Sequence, residues 1–314
     1  MRFNPAYGGN AMAVNFGIGL GRLDNIAEDA KRAEELGYEF ISTGEHVFFY
    51  GPIGNSLISL AAAAGATERI KLMSTITLVP LYPPALLAKQ VAALDQVSNG
   101  RFNLGVGVGG EYAREFEACG VPVAERGART NEALEVMTRL WTEDDVHFEG
   151  AFTHLPGVSL DPKPVQKPHP PIWVSGRSEA AMRRCARFGT GWLPYMYTPE
   201  QLAESLAHIN GYCREAERAT PVAAGQFIFF AVHEDRDQAI QMATERLSRQ
   251  YNQDFSKLVG RYALAGNPDD CVARLREYID AGARTIILNS ACPSGYTARN
   301  EALLAETVLP VLRS

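Results

Sequence analysis

VNFGIGL at residues 14–20, LDNIAEDAKRAEELG at 23–37 and YEFIST at 38–43 decide how this chain is read. The first and third runs are short, apolar and supplied with β-branched and aromatic residues, the pattern of buried strands. Between them Ile26, Ala30, Ala33 and Leu36 recur at helical spacing on one face, and Gly37 stands where a helix commonly ends. Strand, helix and strand in that order predict a parallel pair joined by a crossover.

The same rhythm continues outward. SLISLAAAAGATE (56–68) reads as a helix, and IKLMSTITLV (70–79) and FNLGVGV (102–108) as strands flanking a helix from about Pro84 to Val97. A helix over about 125–141 follows, and then a polar, Pro-rich segment at 148–171 interrupts the alternation. PIWVS (171–175), the helix SEAAMRRCARFG (178–189), TGWLPY (190–195), a helix over about 199–218 and GQFIFFAV (225–232) restore it. A long polar helical region (235–262), a helix near 268–281, the strand ARTIILN (283–289) and a last helix complete the chain. Eight strands, each followed by at least one helix, predict a (β/α)8 TIM barrel. The barrel is expected to be one domain over residues 1–314, with insertions near 148–171 and 235–265. A doubly wound open sheet is the alternative.

Composition narrows the function. Lys and Arg number 30 and Asp and Glu 36, so the net charge is 30 − 36 = −6, which argues against a general nucleic-acid binder. Five scattered cysteines without a C-x-x-C point to neither a disulfide framework nor a zinc knuckle, and suit a reducing compartment. The uncharged stretches 46–67 and 72–88 are broken by Gly and Pro and read as core rather than membrane spans. MRFNPAYGGNAMAV (1–14) lacks the apolar run of a secretory signal, so a cytoplasmic protein is expected.

In such a barrel the chemistry sits just past the C-terminal ends of the strands. Gly44-Glu45-His46 follows the second strand and precedes an aromatic loop with Phe48, Phe49 and Tyr50. A histidine there can give or take a proton near neutral pH, or simply tie the loop down. Neither H-x-H nor H-E-x-x-H occurs, so no catalytic metal is expected, and no G-x-S-x-G elbow marks a serine hydrolase. Gly105-x-Gly107-x-x-Gly110 matches the dinucleotide fingerprint in letters, but it ends the fourth strand, where glycines would let a flat ring approach the backbone. Ser175-Gly176-Arg177-Ser178 lies between a strand and a helix, where helix N–H groups, hydroxyls and a guanidinium suit a phosphate. The plainer alternative is an N-cap by Ser178. Arg183, Arg184 and Arg187 read as a solvated helix face, and Trp141, Trp173 and Trp192 as core or pocket wall.

GEH (44–46), KLMSTITLVPLYPPALLAKQVAALDQVSNGRFNLGVGVGGEYAREFEACG (71–120), RGARTNEALEVMTRLW (126–141) and PPIWVSGRSEAAMRRCARFGTGW (170–192) together resemble the bacterial luciferase-like monooxygenase superfamily. The resemblance implies a barrel that binds coenzyme F420 or FMN at the strand ends and uses the reduced cofactor for hydride transfer or oxygenation. It matches His46 to an active-site histidine and Glu45 to the adjacent acid. Thr75-Ile76 falls at a cis peptide that buttresses the cofactor ring, Gly107 and Gly109 lie beside the cofactor, and Ser175, Gly176, Arg177 and Ser178 form the phosphate loop. Some deazaflavin-dependent relatives have Trp where Tyr50 stands and Glu near Gly110, where the nearest acid here is Glu111. The reading is an oxidoreductase passing hydride to or from an apolar organic molecule. Coenzyme F420 is favoured over FMN, because Arg177, Arg183 and Arg184 offer cations to its acidic tail. The alternatives are an FMNH2-dependent monooxygenase and a non-catalytic flavin-binding protein. A homodimer through the helices after strands two and four is expected by analogy, with no nucleic-acid or membrane partner. Substrate walls are expected from 47–56, 235–265 and the loop after Asn289.

Overall fold

The computed structural model describes residues 13–21 and 23–313. Residues 1–12, which carry most of the expectation about a secretory signal, lie outside the described residues. The opening stretch folds as its pattern predicts. β1 (Asn15–Gly19) leads through α1 (Ile26–Glu35) to β2 (Phe40–Thr43), and α1 buries Ile26, Ala30 and Ala33. β1 and β2 are parallel, with Gly17 opposite Phe40.

The succession continues through α2 (Ser56–Ala66), β3 (Lys71–Ser74), β4 (Thr77–Leu78), α3 (Pro84–Val97) and β5 (Phe102–Gly107). Next come α4 (Ala113–Ala118), α5 (Arg126–Thr142), β6 (Val146–Glu149), β7 (His154–Val158), β8 (Ile172–Val174), α6 (Glu179–Phe188) and β9 (Gly191–Trp192). α7 (Pro199–Glu215), β10 (Ala223–Val232), α8 (Arg236–Tyr251), α9 (Val259–Tyr262), β11 (Ala263–Gly266), α10 (Pro268–Asp280) and β12 (Thr285–Ser290) follow. The chain closes with α11 (Thr297–Leu303), one π-helical turn (Leu304–Val308) and α12 (Leu309–Arg313).

Pairing runs β1-β2-β3-β5-β8-β9-β10-β12 and returns to β1, closing an eight-stranded parallel barrel. The open-sheet alternative is thereby excluded. β4 carries β3 onward past a break and pairs with β5. Phe40, Met73, Trp173, Leu193 and Ile287 fill the barrel interior, and the larger core lies between strands and surrounding helices. No helix of the described residues is long and apolar enough to cross a membrane.

Three features depart from the sequence pattern. The strand expected over 70–79 is two strands, because the Thr75–Ile76 peptide is cis and interrupts the ladder. The Pro-rich 148–171 segment shares an antiparallel hairpin, β6 with β7, with the residues just before it. The polar 235–262 region contains two helices, α8 and α9, and leads into β11, an extra parallel strand outside the barrel beside β10. β11 has the sequence ALAG, too short and too bland to announce itself, and is held by a ladder with Phe229–Val232. This insertion has its own small core of Phe229, Ala243, Leu247, Phe255, Val259 and Ala263.

Candidate active site

The Thr75–Ile76 peptide is cis, as the family resemblance implies, although neither residue lines the cleft beside His46 or the cavity at the barrel mouth. Small residues on three sides make room for it. A Cβ on Gly44 would lie 2.8 Å from the Thr75 carbonyl oxygen, one on Gly105 1.9 Å from the Ser74 carbonyl oxygen, and one on Gly107 1.7 Å from Ile76 Cδ1. The Ser74 hydroxyl also donates to the Gly105 carbonyl at 2.9 Å. These contacts correct the sequence reading of Gly105 and Gly107. Their missing side chains leave space for the protein's own 74–76 backbone and Ile76 side chain, so that space is not left for a ring. Gly109 has a φ of +62°, and a side chain there would press on Phe116.

Glu45 is buried and accepts from five donors. The Ser56 hydroxyl donates at 2.7 Å, the Leu78 N–H at 2.8 Å, the Ser56 N–H and the Tyr82 hydroxyl at 3.1 Å, and the Asn55 amide at 3.3 Å. Burial, and then the Glu45 charge, push the Tyr82 phenol up, so it remains a donor. Glu45 therefore joins the start of α2 to the backbone just past the cis peptide. With this many bonds, its carboxylate is committed to holding the loop.

His46 points its Nδ1 at both carboxylate oxygens of Glu115, each at 3.1 Å. Glu115 sits on α4, is fully buried, and also accepts from the Val47 N–H at 3.1 Å. Sequence reasoning passed over Glu115, since it lies 69 residues from His46 and no local spacing joins them. With Nδ1 engaged, Nε2 is the nitrogen available to a bound molecule. The imidazole stacks on Phe49 with centroids 4.2 Å apart, and Tyr50 meets Tyr112 edge to face. His46 lines a cleft of about 580 Å³ between the 47–53 loop and α4.

Phe49 also lines a second cavity of about 280 Å³ at the barrel mouth, with Tyr50, Glu111, Arg177, Tyr195, Tyr251, Phe255 and Tyr262. Tyr251, Phe255 and Tyr262 of the 235–265 insertion line this cavity, and no residue of the loop after Asn289 lines either this cavity or the cleft. The Tyr195 hydroxyl donates to Glu111, and the Arg177 guanidinium lies over the Tyr195 ring, 5.2 Å from its centroid. Burial first, and then Glu111, raise the pKa of both Tyr195 and Tyr251, so both stay protonated at physiological pH. Glu111, a departure from the relatives' pattern, faces this cavity.

The Ser175–Ser178 loop joins β8 to α6. Gly176 has a φ of +116°, and the Ser178 hydroxyl caps α6 by accepting from the Ala181 N–H at 3.3 Å. The first-turn N–H groups of α6 point toward this loop, as at any helix start. Of the arginines after it, Arg183 and Arg187 lie on a solvated face as the sequence suggests, and Arg184 does not. Arg184 is buried and bonds the Asn131 amide oxygen at 2.7 Å and the Gly127 carbonyl at 3.2 Å. Arg183 pairs with Glu179 and Glu215, and Arg187 with Glu135. All three Trp residues are buried. Among the described residues no group of three or more His, Cys, Asp or Glu side chains gathers to hold a metal.

A closed parallel barrel with a cis peptide at its third strand, a carboxylate-held histidine at its second and an S-G-R-S loop at its fifth defines a class of cofactor-dependent barrel proteins. This chain belongs to the luciferase-like monooxygenase family, whose model matches residues 6–285. The crystal structure of the monooxygenase RslO1 from Streptomyces bottropensis superposes with a TM-score of 0.85 at 29% identity, covering 95% of this chain and 99% of that one. An FMNH2-dependent dimethylsulfone monooxygenase of Pseudomonas putida is 30% identical over 69% of this chain and 61% of its own length. An F420-dependent glucose-6-phosphate dehydrogenase of Amycolatopsis mediterranei is 26% identical over 92% of this chain and 95% of its own. Uncharacterized mycobacterial relatives at 33% identity are matched over 63% of their length. The family thus includes enzymes of both cofactor types.

Proposed function

We propose that this chain is an oxidoreductase that holds a reduced flavin-type cofactor at the barrel mouth and acts on an apolar organic substrate beside His46. The mouth cavity carries the reading. Aromatic rings from Phe49, Tyr50, Tyr195, Tyr251, Phe255 and Tyr262 surround one guanidinium, Arg177, next to the S-G-R-S loop. That combination fits a flat ring tethered to a phosphate. Ser175, Gly176, Arg177 and Ser178 would hold the phosphate, with Thr75 and Ile76 backing the ring and Gly107 and Gly109 shaping the segment beside it. When bound, such a cofactor supplies hydride transfer or the activation of oxygen. The chain's own residues bind and orient. His46 holds or moves a proton at Nε2, Glu115 fixes its ring, and Glu45 acts as a positioning residue for the loop and the cis segment.

Reduced FMN suits this site better than coenzyme F420. Of Arg177, Arg183 and Arg184, the cations that favour coenzyme F420 through its acidic tail, Arg183 is paired with Glu179 and Glu215, Arg184 is buried in the fold, and Arg177 alone lines the mouth cavity. Hydride transfer with coenzyme F420 is the second reading, favoured by the nearly full-length similarity to the Amycolatopsis dehydrogenase and by Glu111 in the mouth. Titrating the purified protein with FMN, FMNH2 and both redox forms of coenzyme F420, then measuring oxygen uptake, separates the two. Tight binding of reduced coenzyme F420 with no affinity for FMNH2 would overturn the preference. A purely flavin-binding role is disfavoured, since cofactor storage gives no use for a buried carboxylate held on an imidazole at 3.1 Å.

Glu115→Gln keeps an acceptor on His46 but removes the charge that orients it. Turnover is expected to fall at least about tenfold, since loss of an orienting carboxylate costs up to ~10⁴ in serine proteases. The substrate KM should change little. A raised KM with unchanged turnover would instead indicate a role in binding.

A homodimer is proposed as well, through α2, one of the two helices expected to form it, with α3 in place of α5. The apolar residues of α5, including Leu134, Met137, Leu140 and Trp141, are buried in the subunit. Exposed apolar side chains lie on α2 and α3, where Ile58 is 73%, Leu86 51% and Val97 65% accessible. Sedimentation at micromolar concentration should show a dimer that Ile58→Glu dissociates; a monomeric wild-type protein counts against the interface.

A further inference from the structure

The cleft beside His46 carries an observation that the cofactor reading does not use. Part of its wall is apolar and exposed, with Val47 at 49%, Phe48 at 50% and Ile53 at 36% accessible. Apolar surface left open in a concave site favours a ligand that covers it. One cation stands in this lining, Arg114 on α4. Its neighbour in sequence, Glu115, turns inward to His46 and the Val47 N–H and is fully buried, so it offers the rim no counter-charge. Arg114 itself is exposed and has no ion pair or side-chain hydrogen bond among the described residues. Other exposed arginines of this protein, such as Arg183, Arg187 and Arg299, are paired with carboxylates.

We propose that this cleft binds an organic anion with a flat apolar body, and that Arg114 selects it by binding its carboxylate. The body lies against Phe48, Phe49 and Ile53, and the carboxylate meets a planar fork of N–H donors. A substrate held at that end presents its other end to His46, which lines the same cleft. Phe49 lines both this cleft and the mouth cavity that contains Arg177, so the two adjoin. This assignment deepens the proposed function and rests on it, because it names the substrate class for the same histidine.

The test compares 2-naphthoate with the uncharged isostere 2-naphthamide, by isothermal titration calorimetry on the purified full-length protein. Wild-type protein is expected to bind the acid at least about tenfold more tightly, the scale of a single charge-assisted pair. Arg114→Gln should abolish that preference, Arg114→Lys should keep part of it, and Arg177→Gln should leave it in place. Raising the salt to 0.5 M should reduce it, since the guanidinium is exposed. Equal affinities in the wild type, no binding of either probe, or a preference that survives Arg114→Gln but is lost in Arg177→Gln would overturn the proposal. Parallel titration with FMN and coenzyme F420 reads the underlying assignment separately. A protein that binds neither cofactor yet prefers naphthoate through Arg114 refutes the cofactor reading and keeps the anion site. One that binds a cofactor and treats the two probes alike does the reverse.

Discussion

Replacing His46 with alanine is expected to lower turnover by roughly 10²-fold or more, the usual contribution of a general acid or base. The imidazole is held on two sides, by Glu115 at 3.1 Å through Nδ1 and by the Phe49 ring at 4.2 Å. That leaves Nε2 as its working atom. The fold should survive, because His46 is partly exposed and its loop stays anchored by the five donors on Glu45 and by the Val47 N–H on Glu115. Steady-state kinetics alongside thermal unfolding measures both effects. Wild-type turnover in a folded His46→Ala protein would remove the histidine from the chemistry.

The largest stability effect is expected at Gly105. An alanine there would put its methyl group 1.9 Å from the Ser74 carbonyl oxygen, an atom of the backbone that cannot swing aside as a side-chain tip can. The Ser74 hydroxyl bonds both the Gly105 carbonyl and its N–H, and Ser74 ends β3 just before β4. Any displacement therefore disturbs β3, β4 and β5 together. Overpacking of this kind costs about 3 kcal/mol or more at the upper end of the usual range. For a domain of this size that lowers Tm by roughly 5–10 °C. Gly211→Ala is the control. It lies within α7 and a Cβ there would meet only the far end of Arg214 at 3.9 Å, so it should be neutral or stabilise by up to ~1 kcal/mol. Thermal unfolding should be measured on cofactor-free protein. If Gly105 were small in order to admit a ring, Gly105→Ala would weaken cofactor binding and leave the cofactor-free Tm unchanged.

Much of the barrel was legible because its signals are local. Ile26, Ala30 and Ala33 define a helix face within ten residues, and the runs at 14–20, 38–43 and 225–232 are apolar enough to be read as strands. Strand ends in turn located Glu45, His46 and the Ser175–Ser178 loop, since this architecture gathers function at one face. β11 escaped because ALAG has no pattern of its own and exists as a strand only against β10.

Within the site, the sequence by itself determined which residues stand at the strand ends and what chemistry their side chains can perform. Only the tertiary structure decided what each one is bonded to. Glu45 and His46 are adjacent in the chain, yet one faces Ser56, Leu78 and Tyr82 and the other faces Glu115. Gly105 and Gly107 could accommodate a ligand or the protein itself, and Ser74 and Ile76 take the space. Arg183 and Arg184 are equally basic as letters, but the first is paired on the surface while the second is buried against α5. Hydrogen bonds and steric contacts of this kind join residues tens of positions apart, through side-chain directions that are fixed only when the barrel closes. Periodicity along the chain records which face of an element is buried, and carries no record of which distant partner meets it there.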